Sequence, residues 1–337
     1  MNHYRHVRQN YTSSMFPDLP SLNVSSTDFM MAALGYTRQF GRLGMDLNLA
    51  FNDYITMGSD GKKHNDFYVS PRLSLNYGVS NIINLRMMGW MESTLRGSAS
   101  QNINRYVIDT RFFRENIPYM KPSYRYKIYF TPEFNIRSAD LILSPSLLYT
   151  YERNGYMNYI YREGDLFIQR PALLPHSNNL SYGLTLIWMP TPGLQIRPML
   201  SGNHKAFRTP EDPERFNSFQ CRLLASYAVK SFQFQAYLTT PERDLDGITH
   251  KRKGWTFYLN AYWTTPTFYA GVDFSYQGDT ASTVMEVPGF SSVDEIRYGE
   301  MRNFVTISLG YNFSIGKYKG SAKHRKKLNN AETETGL

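Results

Sequence analysis

Apolar and polar side chains alternate along most of this chain with a period of two. Residues 255–263 show the pattern clearly, because one parity is polar or small and the other is apolar. Such alternation is typical of a β-strand with one apolar face. After Thr265-Pro266-Thr267 the alternation resumes over residues 268–276, so the two segments predict an antiparallel hairpin. The apolar parity of the first strand holds Trp255, Phe257, Leu259, Ala261 and Trp263.

The same pattern predicts thirteen strands, and a helical period competes with it only weakly, in the C-terminal tail. A weak fourteenth strand over residues 4–10 would make the number even, as bacterial outer-membrane barrels require. The thirteen predicted strands are 30–36, 43–51, 67–77, 83–91, 124–136, 141–151, 180–188, 194–200, 219–227, 232–238, 255–263, 268–276 and 305–313.

The connections between these strands alternate in length. Joints near Gly41, Ser80, Ser138, Pro192, Lys230 and Pro266 are tight, whereas those at 57–65, 93–122, 154–177, 207–215, 242–252 and 278–299 are long. Short turns at one end and long loops at the other are the plan of an outer-membrane barrel. The sequence therefore predicts an all-β, antiparallel, up-and-down transmembrane β-barrel over residues 1–315. Its long loops would be extracellular and its short turns periplasmic.

The two faces of the predicted strands differ in chemistry. Aromatic residues near the ends of the apolar face are placed as a bilayer interface would place them, and these are Trp255, Trp263 and Phe313. The opposite parity carries charges that would line a wet lumen: Arg72, Arg86, Arg125, Lys127, Glu133, Arg197, Arg222 and Asp273. A soluble β-sandwich, whose inner faces are equally apolar, is the alternative, but its strands are usually shorter.

Composition narrows the class further. Aromatic residues make up 15% of the 337 residues and charged residues 19%, which argues against disorder. Residues 316–337 contribute +4 of the net charge of +9, and we expect them to form a basic, disordered periplasmic tail. The charge elsewhere is too dilute to indicate a nucleic-acid partner. The single cysteine, Cys221, excludes a disulfide scaffold and lies on the apolar parity.

Motifs for chemistry are sparse. The string Asp244-Leu245-Asp246-Gly247 is half of a calcium loop and fits an ordinary turn better, so we predict no metal site and no cofactor. An outer-membrane hydrolase remains the less favoured alternative, because His176 with Ser177, and His204, have no acid at a suitable spacing. We therefore expect a protein that is not an enzyme. No secretory signal opens the chain, which begins Met1-Asn2-His3-Tyr4-Arg5-His6.

One segment resembles a known family. The stretch Arg114-Glu115-Asn116-Ile117-Pro118-Tyr119-Met120-Lys121-Pro122, followed by a strand, is similar to the GNPxLKPE segment of TonB-dependent receptors and their outer-membrane β-barrel relatives. Asn116, Pro118, Lys121 and Pro122 match, whereas Glu115 replaces a glycine, Ile117 is inserted and Ser123 replaces the acid. The closing Leu309-Gly310-Tyr311-Asn312-Phe313 also resembles the end of that barrel.

The resemblance implies a Gram-negative outer-membrane receptor that takes up a nutrient through a larger, plugged barrel powered from the inner membrane. Nothing in this chain resembles the plug, so the expectation is a partial receptor. Its partners would be outer-membrane lipid, the plug and N-terminal barrel half, the inner-membrane energy-coupling complex and an unidentified nutrient. A self-contained porin-like or surface-binding barrel is the alternative.

The long connections supply the candidate ligand surface, because the tight joints are too short to bind anything. Aromatic and charged loop residues commonly carry such contacts. The candidates are Tyr106, Arg111, Phe112, Phe113, Tyr156, Tyr159, Tyr161 and Arg162.

Overall fold

The computed structural model describes residues 2–10, 22–57, 61–94, 105–117, 119–278, 280–287, 289–297 and 303–313. Pro118 and the predicted basic tail lie outside these residues. The strands are β1 (Asn2–Asn10), β2 (Leu22–Phe40), β3 (Leu43–Met57), β4 (Lys63–Gly78), β5 (Ile83–Thr94), β6 (Arg105–Asp109), β7 (Phe112–Glu115), β8 (Ser123–Ile136), β9 (Leu141–Glu163), β10 (Leu166–Thr191), β11 (Leu194–Arg208), β12 (Pro213–Val229), β13 (Phe232–Thr239), β14 (Glu242–Asp246), β15 (Thr249–Lys253), β16 (Thr256–Thr264), β17 (Phe268–Gln277), β18 (Thr280–Val287), β19 (Phe290–Arg297) and β20 (Phe304–Tyr311).

One large sheet contains sixteen of the strands that the structure describes. Fourteen follow a single antiparallel path, in the order β1-β2-β3-β4-β5-β8-β9-β10-β11-β12-β13-β16-β17-β20. The all-β meander predicted from alternation is confirmed, and the weak strand at residues 4–10 lies within β1. Along the described path, β1 pairs with β2 alone and β20 with β17 alone, so these two strands are its ends.

Tight turns occur where the sequence predicted them. Gly193 illustrates the reason, because its backbone has φ +86° and a Cβ there would collide with the carbonyl oxygen of Ala228. Only glycine adopts that conformation without a steric penalty. Gly41 has φ +58° but open space around it, and a short 3₁₀ turn at Arg137–Ala139 makes the joint near Ser138.

The long connections are more ordered than the sequence suggested. Residues 154–177, expected to be a loop, extend β9 and β10 to a turn at Gly164. Residues 242–252 lie within the β14–β15 hairpin, and most of 278–299 lies within the β18–β19 hairpin. Together these hairpins form a second, four-stranded sheet. The alternation was hidden because Met157, Tyr159 and Ile160 are buried on both faces of β9, and strands buried on both sides do not alternate.

The two faces of the large sheet differ as predicted. Large hydrophobic side chains of the apolar parity stand exposed on most of the fourteen strands, for example Leu34, Leu73, Ile128, Leu223 and Leu259. The predicted interface aromatics Trp255, Trp263 and Phe313 are among these exposed residues. No helix in the described part of the chain is long and apolar enough to cross a membrane.

The hydrophobic core lies at one end of the large sheet. Buried residues of the extended β9–β10 hairpin form it together with Ile248, the last residue of the β14–β15 turn. Partly buried residues of β7, β11 and the β18–β19 hairpin pack against this cluster. The segments predicted to be long loops thus pack together as a small folded unit at this end of the sheet. The buried members are Met157, Tyr159, Ile160, Ala172, Leu174 and Ile248.

Candidate functional site: two chambers on the polar face

Ion pairs cross the strands on the polar face of the large sheet. Lys127 Nζ donates to Glu92 Oε2 at 2.7 Å, and Arg125 Nε donates to Glu152 Oε1 at 3.0 Å. Arg125 and Glu152 lie directly opposite each other in the register. Lys127 lies opposite Trp90, two residues before Glu92, so Lys127 and Glu92 are diagonal neighbours across the two strands. Two of the predicted lumen charges are therefore neutralised by acids that the sequence reading had not singled out.

The other predicted lumen residues share this parity. Asp273 accepts hydrogen bonds from the hydroxyls of Tyr258 and Tyr262. Arg222 Nε donates to Gln220 Oε1 at 2.7 Å. By register, Arg72 lies opposite Asn48, Arg86 opposite Thr131 and Glu133 opposite Asn84, while the buried Nε of Arg197 has no hydrogen-bond partner among the described residues.

The β14–β15 hairpin folds against the polar side of β9 and β11. Lys205 Nζ on β11 donates to Asp244 Oδ1 at 2.6 Å and to the carbonyl oxygen of Leu245 at 2.9 Å. Leu245 and Ile248 are buried, which holds the tip down by apolar contact. Gly247, with φ +63°, faces the side chain of Met157, and a Cβ there would lie 3.3 Å from the Met157 Cβ.

The tip of this hairpin borders two cavities. The first has a volume of about 540 Å³ and is bounded by β7, β9, β10 and the β14–β15 tip. The second has a volume of about 460 Å³ and is lined by Arg125, Lys127 and Lys205, with Asn178 and Asn179 on the neighbouring strand. Tyr156, Met157, Asp246 and Gly247 line both. We call them the first and the second chamber.

The structure brings together only part of the predicted ligand surface. Tyr156 lines both chambers. Phe113 and Tyr159 are only 4% and 3% exposed, so they support the packed end of the sheet and offer no surface to a ligand. The remaining candidates lie outside both chamber linings: Tyr106 on β6, Arg111 in the β6–β7 turn, Phe112 stacked on Phe290, and Tyr161 and Arg162 at the far end of β9.

The segment that carries the family resemblance supports the first chamber. Asn116 and Met120 line that chamber, and the Lys121 amide donates to the Tyr156 hydroxyl at 3.1 Å. Tyr119 stacks on His64 and donates to Asp66 Oδ2 at 2.7 Å. Burial and that hydrogen bond to a carboxylate raise the pKa of Tyr119 above its usual value.

Several chamber residues had no role in the sequence reading. Lys205 was not predicted, and Asp244 and Gly247 were predicted only as parts of a turn, because their place beside the chambers depends on how the hairpin folds back, which alternation does not encode. Of the Asp244-Leu245-Asp246-Gly247 string, which was predicted to be a turn, the first three residues belong to β14 and the turn itself begins at Gly247. His204 has Nδ1 2.6 Å from Asn217 Oδ1, so its nearest polar neighbour is an amide.

Comparison with solved structures identifies the fold. The chain is similar to the FrpB iron transporter from Neisseria meningitidis, with a TM-score of 0.58 and 10% identity over 81% of this chain and 47% of that one. It is also similar to the siderophore receptor PirA from Acinetobacter baumannii, with a TM-score of 0.55 and 10% identity over 81% and 46% of the two chains. For the ferric-catecholate import receptor Fiu from E. coli K12, the TM-score is 0.53 and the identity 12%, over 78% and 42%.

These similarities define the class of fold, which is the β-barrel of outer-membrane iron and siderophore receptors. The chain spans about half the length, or less, of the receptors it matches. The resemblance read from the Arg114–Pro122 segment is thereby confirmed at the level of the barrel. No protein-family model and no curated protein sequence matches the chain.

Proposed function

We propose that this chain forms part of the wall of an outer-membrane receptor that takes up a nutrient ligand. One observation carries the proposal: the large sheet exposes large hydrophobic side chains on one face and carries ion pairs on the other. A soluble protein rarely leaves so extensive an apolar surface in water. A bilayer outside and an aqueous lumen inside satisfy both faces.

The second step of the proposal concerns completeness. A sheet in hydrocarbon must close, because each unpaired backbone N–H or C=O group there costs several kcal/mol. The end strands β1 and β20 each have one paired neighbour along the described path. The chain also spans about half of the receptors it resembles. Both facts support a role as one part of a larger barrel, alongside further strands, a plug and an inner-membrane energy-coupling complex.

The ligand would bind at the packed end of the sheet, in the chambers beside Tyr156. Both chambers fall within the roughly 300–1,000 Å³ range of small-molecule sites. Their walls combine cations, amides and hydroxyls, which suits a polar ligand. The folds that this chain resembles belong to proteins described as iron transporters and siderophore receptors, which supports uptake as the activity.

Refolding of the chain alone tests the proposal. We expect residues 1–337 in detergent or liposomes to fold only as associated copies, because the open edges of β1 and β20 pair with other copies. The chain should then give no heat-modifiable monomer on unboiled gels and no discrete conductance in a planar bilayer. A stable, conducting monomer would favour the self-contained porin-like barrel instead. A monomer that is stable but does not conduct would favour a surface-binding barrel.

A further inference from the structure

Three cations line the second chamber, and they are neutralised in two different ways. Arg125 and Lys127 pair with Glu152 and Glu92, which lie on adjacent strands of the same wall. Lys205 instead pairs with Asp244, which belongs to the folded-back hairpin. The first two pairs are fixed by strand register, whereas the third lasts only as long as the hairpin stays down.

The hairpin presents two oxygens to Lys205. Asp244 Oδ1 lies 2.6 Å from Nζ and the carbonyl oxygen of Leu245 lies 2.9 Å from it. The side chain of Lys205 is 25% exposed and that of Asp244 is 45% exposed, so water and solutes reach the pair. A carboxylate or phosphate of a solute would offer Lys205 the same arrangement of acceptors.

We propose that Asp244 occupies, on Lys205, the place of an anionic oxygen group of the ligand, so that ligand binding displaces the β14–β15 tip. This inference rests on the proposed function for its ligand. Asp246 and Gly247 of the tip line both chambers, so displacement of the tip removes a wall that the two chambers share. Departure of Asp244 also leaves Arg125, Lys127 and Lys205 facing only Glu92 and Glu152. The opened wall then carries an excess positive charge, which an anionic ligand neutralises and an uncharged one does not.

Access to Ile248 reports the position of the tip. Ile248 belongs to the turn of the hairpin and is buried in the core cluster, so a cysteine there reacts with a maleimide only when the tip lifts out of that cluster. The parent for the test is the full chain with Cys221→Ser and Ile248→Cys, which leaves a single thiol. The probes are citrate, sodium chloride at the same ionic strength, and sucrose. We expect citrate alone to accelerate labelling of the parent.

Lys205→Met and a matched control distinguish the Lys205–Asp244 ion pair from a nonspecific effect of removing one positive charge. Lys253 also pairs with an acid of this hairpin, Glu242, but at 3.7 Å with its side chain 71% exposed. We expect Lys205→Met to accelerate labelling about fivefold, as loss of an ion pair worth about 1 kcal/mol would. It should also abolish the citrate effect, whereas Lys253→Met should behave as the parent. Unchanged labelling in Lys205→Met, or an equal citrate effect there, would overturn the proposal.

Asp244→Asn provides a second, independent test of the displacement. It removes the competing carboxylate and keeps Lys205, so labelling should be faster and the citrate concentration for half-maximal effect should fall. An unchanged citrate midpoint would contradict the proposal. Each variant is compared with the parent by its far-ultraviolet circular dichroism, so that unfolding is not mistaken for opening. Maleimide labelling measures neither conductance nor transport. The displacement of the tip can therefore be disproved while the proposed function stands, and the proposed function can be disproved while the displacement stands.

Discussion

Ile168 and Leu173 lie on the same strand, β10, but Ile168 is 0% exposed and Leu173 is 47% exposed. This contrast marks the end of the sheet as a folded unit with an inside and an outside. A flexible loop would leave both side chains in water. The distinction matters because the chambers take their walls from this unit.

Substitution of the two residues tests whether this end is packed. We expect Ile168→Ala to lower the free energy of unfolding by about 2–5 kcal/mol, since it leaves a cavity among buried neighbours. Leu173→Ala should change it by less than about 0.5 kcal/mol. Urea titration of the refolded protein measures both. Equal effects would mean that the end of the sheet is not packed as described.

The turn between β10 and β11 should tolerate no side chain at Gly193. Gly193→Ala combines an unfavourable positive φ with a collision against the Ala228 carbonyl. Gly41→Ala incurs only the φ penalty of about 1–2 kcal/mol, because nothing lies near its Cβ. Unfolding titrations should therefore rank Gly193→Ala as the more destabilising. The reverse order would contradict the turn geometry.

Tyr119 should ionise at higher pH than an exposed tyrosine, because burial and its hydrogen bond to Asp66 raise its pKa. The folded state then favours the protonated phenol. This contribution to stability is full below the unfolded value of about 10 and is lost as the pH rises from there through the folded pKa. The titration of Tyr119 is obtained by following tyrosinate absorbance against pH and subtracting the curve of Tyr119→Phe from that of the wild type. Asp66→Asn should move its titration to lower pH, and no movement would remove Asp66 as a cause.

Alternation predicted the meander and the tight turns because one face of each strand is apolar throughout. It failed within residues 154–177, because Met157, Tyr159 and Ile160 are buried on both faces of β9 and the period of two disappears there. It also missed the Lys205–Asp244 pair, because the two residues come from different hairpins and only tertiary folding brings them together. The ligand candidates were chosen from their positions in long connections, and that reasoning does not separate Tyr156, which lines both chambers, from Phe113 and Tyr159, which are buried.

A charge on the apolar face should be costly, and one on the opposite face should not. Leu259 is 43% exposed on the apolar face of β16 and lies opposite Ala236 of β13. Gln235, the residue before Ala236, is exposed on the polar face of β13. In liposomes, Leu259→Arg should lower stability by about 2–4 kcal/mol, and Gln235→Arg should be nearly neutral. Equal effects would argue against a lipid-facing surface.

The most direct measurement is a fluorophore scan along β13, residues 232–238, in liposomes, with single cysteines placed in a Cys221→Ser background. The apolar parity holds Phe232, Phe234, Ala236 and Leu238, and the polar parity holds Gln233, Gln235 and Tyr237. We predict that nitroxide lipids quench the first set and aqueous iodide quenches the second, with a period of two. Quenching by iodide at every position, without alternation, would contradict the account of this sheet as a membrane wall.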